Sequence, residues 1–303
     1  ALPIYASGPH TCSCACRHAM NIAALQMVSG RETHANLATA HTLLAQAHAA
    51  GAELAVLPEY FACMGLGERA KLAQAETFGS GPVQDFLARS ARQWGMWIVG
   101  GTLALRTAAG EPGPGEGEST QERERVTNTC LVYDPSGACV ARYDKIHLFQ
   151  FDNGHERYAE ADTVQPGQQP VTVQVQPREG PPWRLGLSVC YDLRFPELYR
   201  ALAQAGADVL LVPSAFTATT GQAHWESLLR ARAIENLAYV LAPAQGGTHD
   251  NGRRTWGHSL FIDPWGEVLA QHAHGPGLVL GQLQRARLDS VRAQLPALTH
   301  RVL

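Results

Sequence analysis

The 303-residue chain lacks the features that define several large classes of protein. Its formal net charge is only -3, from 24 Lys and Arg against 27 Asp and Glu, so no basic surface for nucleic acid is indicated. Its apolar runs are short, and none approaches the roughly 20 residues that a bilayer demands. Charged residues make up only 17% of the chain and hydrophobic residues 45%, which excludes disorder of the whole. We therefore expect a globular protein that binds neither nucleic acid nor membrane.

The seven cysteines do not form the pattern of a disulfide framework. Their number is odd, and Cys63, Cys130, Cys139 and Cys190 lie far apart, in or beside apolar segments. A free cysteine packs as a small hydrophobe in a reducing compartment, so the sequence favours a cytoplasmic location. The chain also lacks a Gly-rich phosphate loop and a spaced set of metal ligands, so neither a cofactor nor a metal is expected.

Residues 1–19 show neither helical nor strand periodicity and precede the first regular strand. We interpret them as a tag remnant or another non-native extension. Their run from Cys12 to Cys16, with His10 and His18, leaves open a different class of function, a non-catalytic thiol or metal-binding protein. Zinc sites usually draw on separated ligand pairs, which this run does not provide. Removing residues 1–19 separates the two hypotheses, because an enzyme built from the rest of the chain would keep its activity.

From Met20 onward, short aliphatic runs alternate with stretches of helical periodicity, which predicts an α/β protein with a layered core. Segment 108–125 is rich in Gly, Pro, Glu and Arg and predicts a mobile surface loop. Because no repeat and no linker between two cores is found, residues 20–303 are predicted to form one domain. The predicted strands are 21–27, 54–57, 96–101, 131–133, 184–189, 209–212, 239–242, 259–262 and 278–283. The predicted helices are 33–50, 83–94, 197–204, 224–237 and 285–295.

Three apolar segments each adjoin a side chain that can do chemistry. Glu59 follows the aliphatic run AVLP, Lys145 precedes an apolar run in RYDKIHLF, and Cys190 ends a predicted strand in LGLSVCYDLRFPE. Taken singly, each allows a structural interpretation: a solvated carboxylate, a solvated lysine or a buried cysteine. Functional groups gather at strand ends in α/β proteins, so the three segments together predict an active site.

The residue types suit covalent catalysis. A thiol raised on a strand-to-helix turn can be activated as a thiolate, and nearby backbone N–H groups can stabilise the oxyanion formed by its attack. A lysine held near a carboxylate stays cationic and acts as a fixed electrostatic donor. The segments therefore predict a nucleophilic cysteine served by a carboxylate and an ammonium group.

In this order and spacing, Glu59, Lys145 and Cys190 resemble the Glu-Lys-Cys triad of the nitrilase superfamily of carbon–nitrogen hydrolases. The intervals are 86 and 45 residues, and the resemblance extends from Met20 to about Arg301. It implies a four-layer αββα sandwich of two mixed sheets flanked by helices, with protomers paired sandwich to sandwich in a homodimer or larger homo-oligomer. It also implies amide hydrolysis through a Cys190 thioester, with Glu59 as base and Lys145 as oxyanion stabiliser.

The family's second glutamate stands ahead of a Pro-Gly turn between the lysine and the cysteine. Glu160, in EADTVQPG, resembles it, and Glu156 is the competing assignment. His147, His224 and His258 could instead suggest a Cys-His hydrolase. The resemblance supplies a glutamate as the base, which leaves structural roles for the three histidines.

Segments 213–249 and 257–268 resemble the amidase branch of the superfamily that contains deaminated glutathione amidase and ω-amidase. The Pro-Ser-Ala-Phe opening, Arg-Ala-Ile-Glu and the Ala-Gln-x-Gly-x-His run favour the former. The implied binding partner is the substrate, a small acidic amide, and deaminated glutathione is preferred over α-ketoglutaramate. Hydrolysis of a nitrile instead of an amide is a further alternative. The segment YFACMG after the glutamate departs from the family pattern, and segment 61–67 is predicted to form an open pocket mouth.

An acidic substrate needs a cation in its pocket, and Arg194 follows the candidate nucleophile by four residues. Arg194 can reach a carboxylate with a bidentate fork, or it can form a structural ion pair with Asp192 or Glu197. Tyr191 is predicted to offer its backbone N–H to the oxyanion.

The opposite wall of the pocket is predicted to come from the loop after strand 209–212. The end of that strand should lie beside the strand that carries the candidate nucleophile. Phe216, Thr217 and Thr220 are therefore predicted to contact the substrate.

Overall fold

The computed structural model describes residues 19–65, 67, 72–107, 125–152, 154 and 157–302. The strands are β1 Ala19–Gln26, β2 Leu54–Val56, β3 Trp97–Val99, β4 Leu103–Arg106, β5 Val126–Tyr133, β6 Cys139–Asp144, β7 Gln150–Asp152, β8 Arg157–Ala159, β9 Val171–Val175, β10 Trp183–Leu187, β11 Val209–Leu211, β12 Tyr239–Ala242, β13 Ser259–Ile262, β14 Val268–His272 and β15 Gly277–Gln284. The α-helices are α1 Thr33–Ala49, α2 Pro82–Trp94, α3 Pro196–Gln204, α4 Ala218–Asn236 and α5 Arg285–Gln294. The cysteine run 12–16, nearly all of the predicted loop 108–125 and Glu156 lie outside the described residues.

Two mixed sheets form the centre of the fold. One has the order β15-β1-β2-β3-β5-β4, with β6 also paired to β5, and its β1, β2 and β3 run parallel. The other has the order β14-β13-β12-β11-β10-β9, with β10, β11 and β12 parallel. Strands β7 and β8 form a separate antiparallel pair. The predicted α/β class with two mixed sheets is confirmed.

The alternation of side chains along β1 explains why the sheets stack. Met20 and Ile22 pack in one buried cluster with Phe261 of the second sheet, whereas Ala23 and Leu25 pack in another cluster with residues of α1 and α2. Successive side chains of a strand point to opposite faces, so both faces of β1 are covered. Helices α1 and α2 contact β1 and β3, and α3 and α4 contact β10 and β12, which completes the αββα sandwich.

Most predicted elements are confirmed to within a few residues, but α4 begins at Ala218 rather than at residue 224. Thr217 caps this helix, since its Oγ1 accepts the backbone N–H of Thr220 at 3.2 Å. The first turn contains Thr and Gly, which have low helix propensity and hide the helix in the sequence. Gly221 is needed there because a Cβ would collide with the Trp256 side chain.

Several strands were not predicted because their side chains are only half buried. Strands β6, β9 and β14 lie at or near sheet edges and mix exposed with covered positions, which weakens their apolar pattern.

The expectation that all four later cysteines pack as buried hydrophobes is wrong for Cys139, which is exposed on β6, and for Cys63, which is partly exposed. Among the described residues, no helix has both the length and the apolar character needed to cross a bilayer.

Candidate active site

The predicted site residues meet where the ends of the two sheets face each other. Glu59 follows β2, Lys145 follows β6 and Cys190 follows β10. The prediction that strand 209–212 lies beside the Cys190 strand is confirmed, because β10 and β11 pair in parallel and the Cys190 N–H donates to the Pro213 carbonyl at 3.0 Å.

Two glycines let the chain turn closely behind the charged residues. Gly101 has φ +50°, and a Cβ at this position would collide with the carbonyl oxygen of Pro58, next to Glu59. At Gly167, in the Pro-Gly turn, a Cβ would collide with the Asp144 carbonyl, next to Lys145. Only glycine fits such approaches without moving the backbone that carries the site.

Lys145 is the centre of a buried charge cluster. Its Nζ lies 2.9 Å from Glu59 Oε1 and 2.8 Å from Glu160 Oε2, and the side chain is only 1% exposed. Of the two assignments left open for the second glutamate, Glu160 is therefore the one seen against the lysine. A buried ammonium between two carboxylates is held in one orientation by charge-assisted hydrogen bonds.

The two carboxylates are bonded very differently. Glu160 accepts hydrogen bonds from Tyr60 Oη at 2.7 Å and the Phe149 N–H at 2.8 Å, in addition to its bonds with Lys145 and Asn128. Glu59 Oε1 accepts from Lys145 and from Asn128 Nδ2 at 3.0 Å. Both oxygens of Glu160 therefore accept hydrogen bonds, whereas Lys145 and Asn128 both bond the same oxygen of Glu59.

Asn128 was missed in the sequence, yet it touches both glutamates. Its Nδ2 lies 3.0 Å from Glu59 Oε1, from Glu160 Oε1 and from Tyr60 Oη. Its backbone carbonyl accepts the backbone N–H of Lys145 at 2.9 Å. A signal was available, since Asn128 stands between two threonines in the otherwise apolar, fully buried strand β5. Polar side chains in such a strand need buried partners.

Cys190 sits on a sharp turn with φ +49°, in the left-handed region that non-glycine residues rarely adopt. It begins the 3-10 helix Cys190–Arg194 directly after the extended residue Val189. Asp192 holds this turn, because its Oδ2 accepts the Val189 N–H at 2.8 Å and the Tyr143 hydroxyl at 2.7 Å. A strained backbone fixed by its neighbours is typical of functional sites.

His147 supports the same turn from outside the reaction centre. Its ring Nδ1 lies 2.7 Å from Asp192 Oδ1, and its backbone N–H donates to the same oxygen at 3.0 Å. Its ring also stacks on the Phe195 ring, with 3.7 Å between the ring centres. His224 contacts Arg194, and His258 contacts Gln271. His147 thus holds Asp192, which in turn holds the turn at Cys190.

Burial, reinforced by the negative charge of Glu59, raises the pKa of the Cys190 thiol well above its usual range, and the Lys145 ammonium opposes this rise. Burial also acts to lower the pKa of Lys145, but the charges of Glu160 and Glu59 outweigh it, so this pKa is raised well above its ordinary value. The resting site therefore holds a protonated thiol beside a permanent cation. A thiol in this state needs a base before it can attack.

A pocket opens above the charge cluster. All nine residues that the sequence analysis predicted for the site line it: Glu59, Lys145, Glu160, Cys190, Tyr191, Arg194, Phe216, Thr217 and Thr220. The lining residues that were missed are Tyr60, Phe149, Tyr158, Ala215 and Arg253. The missed residues come from loops and a short hairpin, where periodicity gives no signal.

Arg194 forms neither of the structural ion pairs considered for it. Its two terminal nitrogens each lie 3.3 Å from His224 Nδ1, and its guanidinium lies over the rings of Tyr191 and Phe216 at 5.8 and 5.5 Å. Within the part of the chain that the structure describes, no carboxylate pairs with it. Its charge therefore remains available to an acidic ligand.

The prediction that segment 61–67 forms the pocket mouth is wrong for its described residues. Phe61 is fully buried in the core cluster around α1 and α2, and Ala62 and Met64 are also buried. The apolar side chains of this segment pack inward rather than toward the substrate pocket.

The hydroxyls of Thr217 and Thr220 lie 2.9 Å apart and hydrogen-bond to each other at the pocket wall.

Three or more His, Cys, Asp or Glu side chains that could hold a metal ion do not come together anywhere in the described ranges.

Comparison with known proteins shows which family of enzymes the chain resembles. The model of the carbon–nitrogen hydrolase family matches residues 21–293. The chain is 45% identical to the deaminated glutathione amidase of Synechocystis over 282 residues, which cover 92% of this chain and 97% of that protein. Its structure is similar to a Saccharomyces cerevisiae member of branch 10 of the nitrilase superfamily, with 25% identity, a TM-score of 0.79 and coverage of 94% and 97% of the two chains.

A second solved structure bears on the site. It is a mutant amidase from Nesterenkonia in which acrylamide has added to the active-site cysteine, with 27% identity, a TM-score of 0.69 and coverage of 91% of this chain and 98% of that one. This chain belongs to the carbon–nitrogen hydrolase family. It is an enzyme that hydrolyses amides, and its fold is that of the nitrilase superfamily.

Proposed function

We propose that this enzyme hydrolyses a small acidic amide through a Cys190 thioester, with deaminated glutathione preferred over α-ketoglutaramate. The observation that carries the proposal is the buried Lys145 ammonium, held between Glu59 and Glu160 beside the thiol in a pocket that also presents Arg194. A base, an oxyanion stabiliser and a nucleophile then stand in one cavity, with a cation placed to select an acidic substrate.

In the first half-reaction, Glu59 takes the proton of Cys190 as the sulfur attacks the amide carbonyl carbon. The carbonyl electron pair moves onto oxygen, and the Lys145 ammonium and the Tyr191 N–H stabilise the oxyanion. Tyr191 belongs to the first turn of a 3-10 helix, where backbone N–H groups have no partner within the helix. Glu59 then gives its proton to the leaving nitrogen, the C–N bond breaks, and a thioester remains.

In the second half-reaction, water gives a proton to Glu59 and attacks the thioester. The new oxyanion uses the same two donors, the C–S bond breaks, and the proton returns to the sulfur as the acid product leaves. Covalent catalysis thus divides one difficult hydrolysis into two easier steps. Glu160 touches no reacting atom in this scheme and instead orients Lys145.

The substrate preference is supported by relatives named deaminated glutathione amidase and by the unpaired charge of Arg194. A guanidinium binds a carboxylate with two parallel hydrogen bonds. Phe216, Thr217 and Thr220 complete the wall beside it. The alternatives are an ω-amidase that acts on α-ketoglutaramate and a nitrilase.

A substrate panel tests the preference. We expect kcat/KM to decrease in the order deaminated glutathione, α-ketoglutaramate, glutamine and a simple nitrile, measured by release of the amine product. Arg194→Ala is expected to remove the preference for a carboxylate, with a loss on the order of ten- to a hundredfold for a charge-assisted pair. Fastest turnover of the nitrile, or an unchanged carboxylate preference in Arg194→Ala, would contradict the substrate assignment but not the mechanism.

We also propose that the protein works as a homo-oligomer of a single 20–303 domain in the cytoplasm, without metal or cofactor. The four described cysteines are free, which agrees with a reducing compartment and with a reactive thiol.

Asn128→Ala tests whether the shared amide matters for turnover. The change removes a donor from Glu59 and Glu160 together, so we expect kcat to decrease roughly tenfold to a hundredfold while the chain still folds. Asn236→Ala is the matched control, because Asn236 is equally buried but lies in α4, where its Nδ2 bonds the Arg232 carbonyl. Asn236→Ala should reduce only the melting temperature, and equal kcat losses in the two variants would contradict the role of Asn128.

A further inference from the structure

Arg253 is a second guanidinium in the pocket, and the mechanism does not use it. It comes from the loop between β12 and β13 and lines the cavity together with Cys190. One of its terminal nitrogens donates to the Ala215 carbonyl at 3.0 Å, and its guanidinium lies 4.7 Å from the centre of the Tyr158 ring. These two contacts hold the side chain in a single place at the cavity wall.

The charge of Arg253 has no partner among the residues that the structure describes. No carboxylate there pairs with it, and its Nε is buried without a hydrogen-bond partner. Buried polar groups are nearly always bonded, so a guanidinium that lines the cavity without a carboxylate partner is suited to bind an anionic ligand. The carboxylates of the cavity floor, Glu59 and Glu160, are already taken by Lys145.

Arg253 also lies close to the reaction centre. The Ala215 N–H hydrogen-bonds the Cys190 sulfur, and the carbonyl of the same residue accepts from Arg253. One residue further along, Phe216 carries the guanidinium of Arg194 on its ring. Arg253 and Arg194 therefore contact two adjacent residues of the loop after β11, next to the nucleophile, and neither guanidinium pairs with a carboxylate of the described residues.

Two cations in one pocket suit a substrate with two carboxylates. Deaminated glutathione has one at the keto-acid end and one at the glycine end, and the scissile amide lies between them. The leaving cysteinylglycine spans roughly 7 Å when extended, so its terminal carboxylate lies away from the scissile bond. α-Ketoglutaramate has only the first carboxylate, so it can occupy only one of the two arginines.

We infer that Arg253 is the specificity-determining residue for the leaving group and binds the terminal carboxylate of a dipeptide amine. Arg194 then binds the carboxylate of the acyl group. This assignment rests on the proposed function and deepens it. It names the part of the substrate, the leaving dipeptide amine, by which the enzyme would distinguish a deaminated peptide from a simple ω-amide.

The test compares deaminated glutathione with its C-terminal glycinamide, which has the same scissile bond and lacks only the terminal charge. We expect the wild type to favour the acid by ten- to a hundredfold in kcat/KM, mainly through KM, as for a charge-assisted pair. Arg253→Gln should reduce this ratio to about one, and Arg253→Lys should restore part of it. Arg254→Gln is the matched control, because Arg254 is exposed in the same loop and should keep the ratio of the wild type.

The outcomes separate the two proposals. An unchanged ratio in Arg253→Gln, or an equal loss for the acid and the amide, would overturn the assignment of Arg253 and leave the proposed function standing. A folded wild type that cleaves neither compound but cleaves α-ketoglutaramate would overturn the assignment and the deaminated glutathione preference, and leave the thioester mechanism standing.

Discussion

Cys190→Ala is expected to abolish amide hydrolysis, by at least about 10⁴-fold in kcat, while the protein remains folded. The variant loses the only atom that forms the thioester. It keeps the backbone contacts of the turn, because these are made by the N–H groups of residues 189 and 190 and by Asp192. Turnover with deaminated glutathione and the melting temperature, measured on the same sample, check both halves of the result.

Alkylation provides the control for this variant. Iodoacetamide should label Cys190 and remove activity, but the exposed Cys139 and the partly exposed Cys63 will also react. Cys130 is buried in the core and does not line the pocket, and burial raises its pKa far above the usual range. It should therefore stay unlabelled, unlike Cys190, which lines the pocket beside Glu59. A variant with Ser at positions 12, 14, 16, 63 and 139 should keep full activity and lose it with one equivalent of label. Appreciable turnover by Cys190→Ala would show that another group is the nucleophile.

Glu59→Gln and Lys145→Met are expected to stop the reaction for different reasons. Glu59→Gln preserves shape but removes the base, so thioester formation should slow by about 10²–10⁴-fold. Lys145→Met removes a cation from the oxyanion, which costs about 10²–10³ in kcat. It also leaves Glu59 and Glu160 buried without their shared partner, and breaking such a pair destabilises a protein by about 3–5 kcal/mol.

A double variant separates catalysis from stability. Adding Glu160→Gln to Lys145→Met removes one of the two stranded charges and should recover part of the lost melting temperature, but no turnover. Rapid-quench detection of the thioester distinguishes the base from the oxyanion stabiliser, and thermal unfolding reports the buried charges. Near-normal kcat in Glu59→Gln or in the double variant would contradict the assigned roles.

The sequence predicted the parts of the site that adjoin regular, buried strands. Glu59 and Cys190 could be found because β2 and β10 are short apolar runs that end just before them. The place ahead of the Pro-Gly turn favoured Glu160 over Glu156, but the contact of Glu160 with Lys145 across 15 residues could not be predicted from spacing. Contacts of this kind arise from the way the strands stack and not from local pattern.

Residues held by distant partners were missed for the same reason. Asn128 meets Glu59 across 69 residues, and Arg253 meets Ala215 across 38. Arg194 was predicted, but its neighbour His224 belongs to the first turns of α4, which weak helix formers concealed. The sequence therefore indicated well the side chains that adjoin strand ends and meet in the pocket, and it indicated poorly the polar and cationic side chains around them.

The two carboxylates that flank Lys145 give the cavity an electrical polarity. Its floor has one positive and two negative charges, and burial raises the pKa of the thiol, which keeps the resting sulfur neutral. Its walls carry the guanidinium groups of Arg194 and Arg253. An anionic amide is therefore expected to enter with its neutral amide bond toward the floor and its carboxylates toward the walls. In the proposed mechanism, hydrolysis creates a new carboxylate beside Glu59, and we expect the repulsion between these two anions to help the product leave.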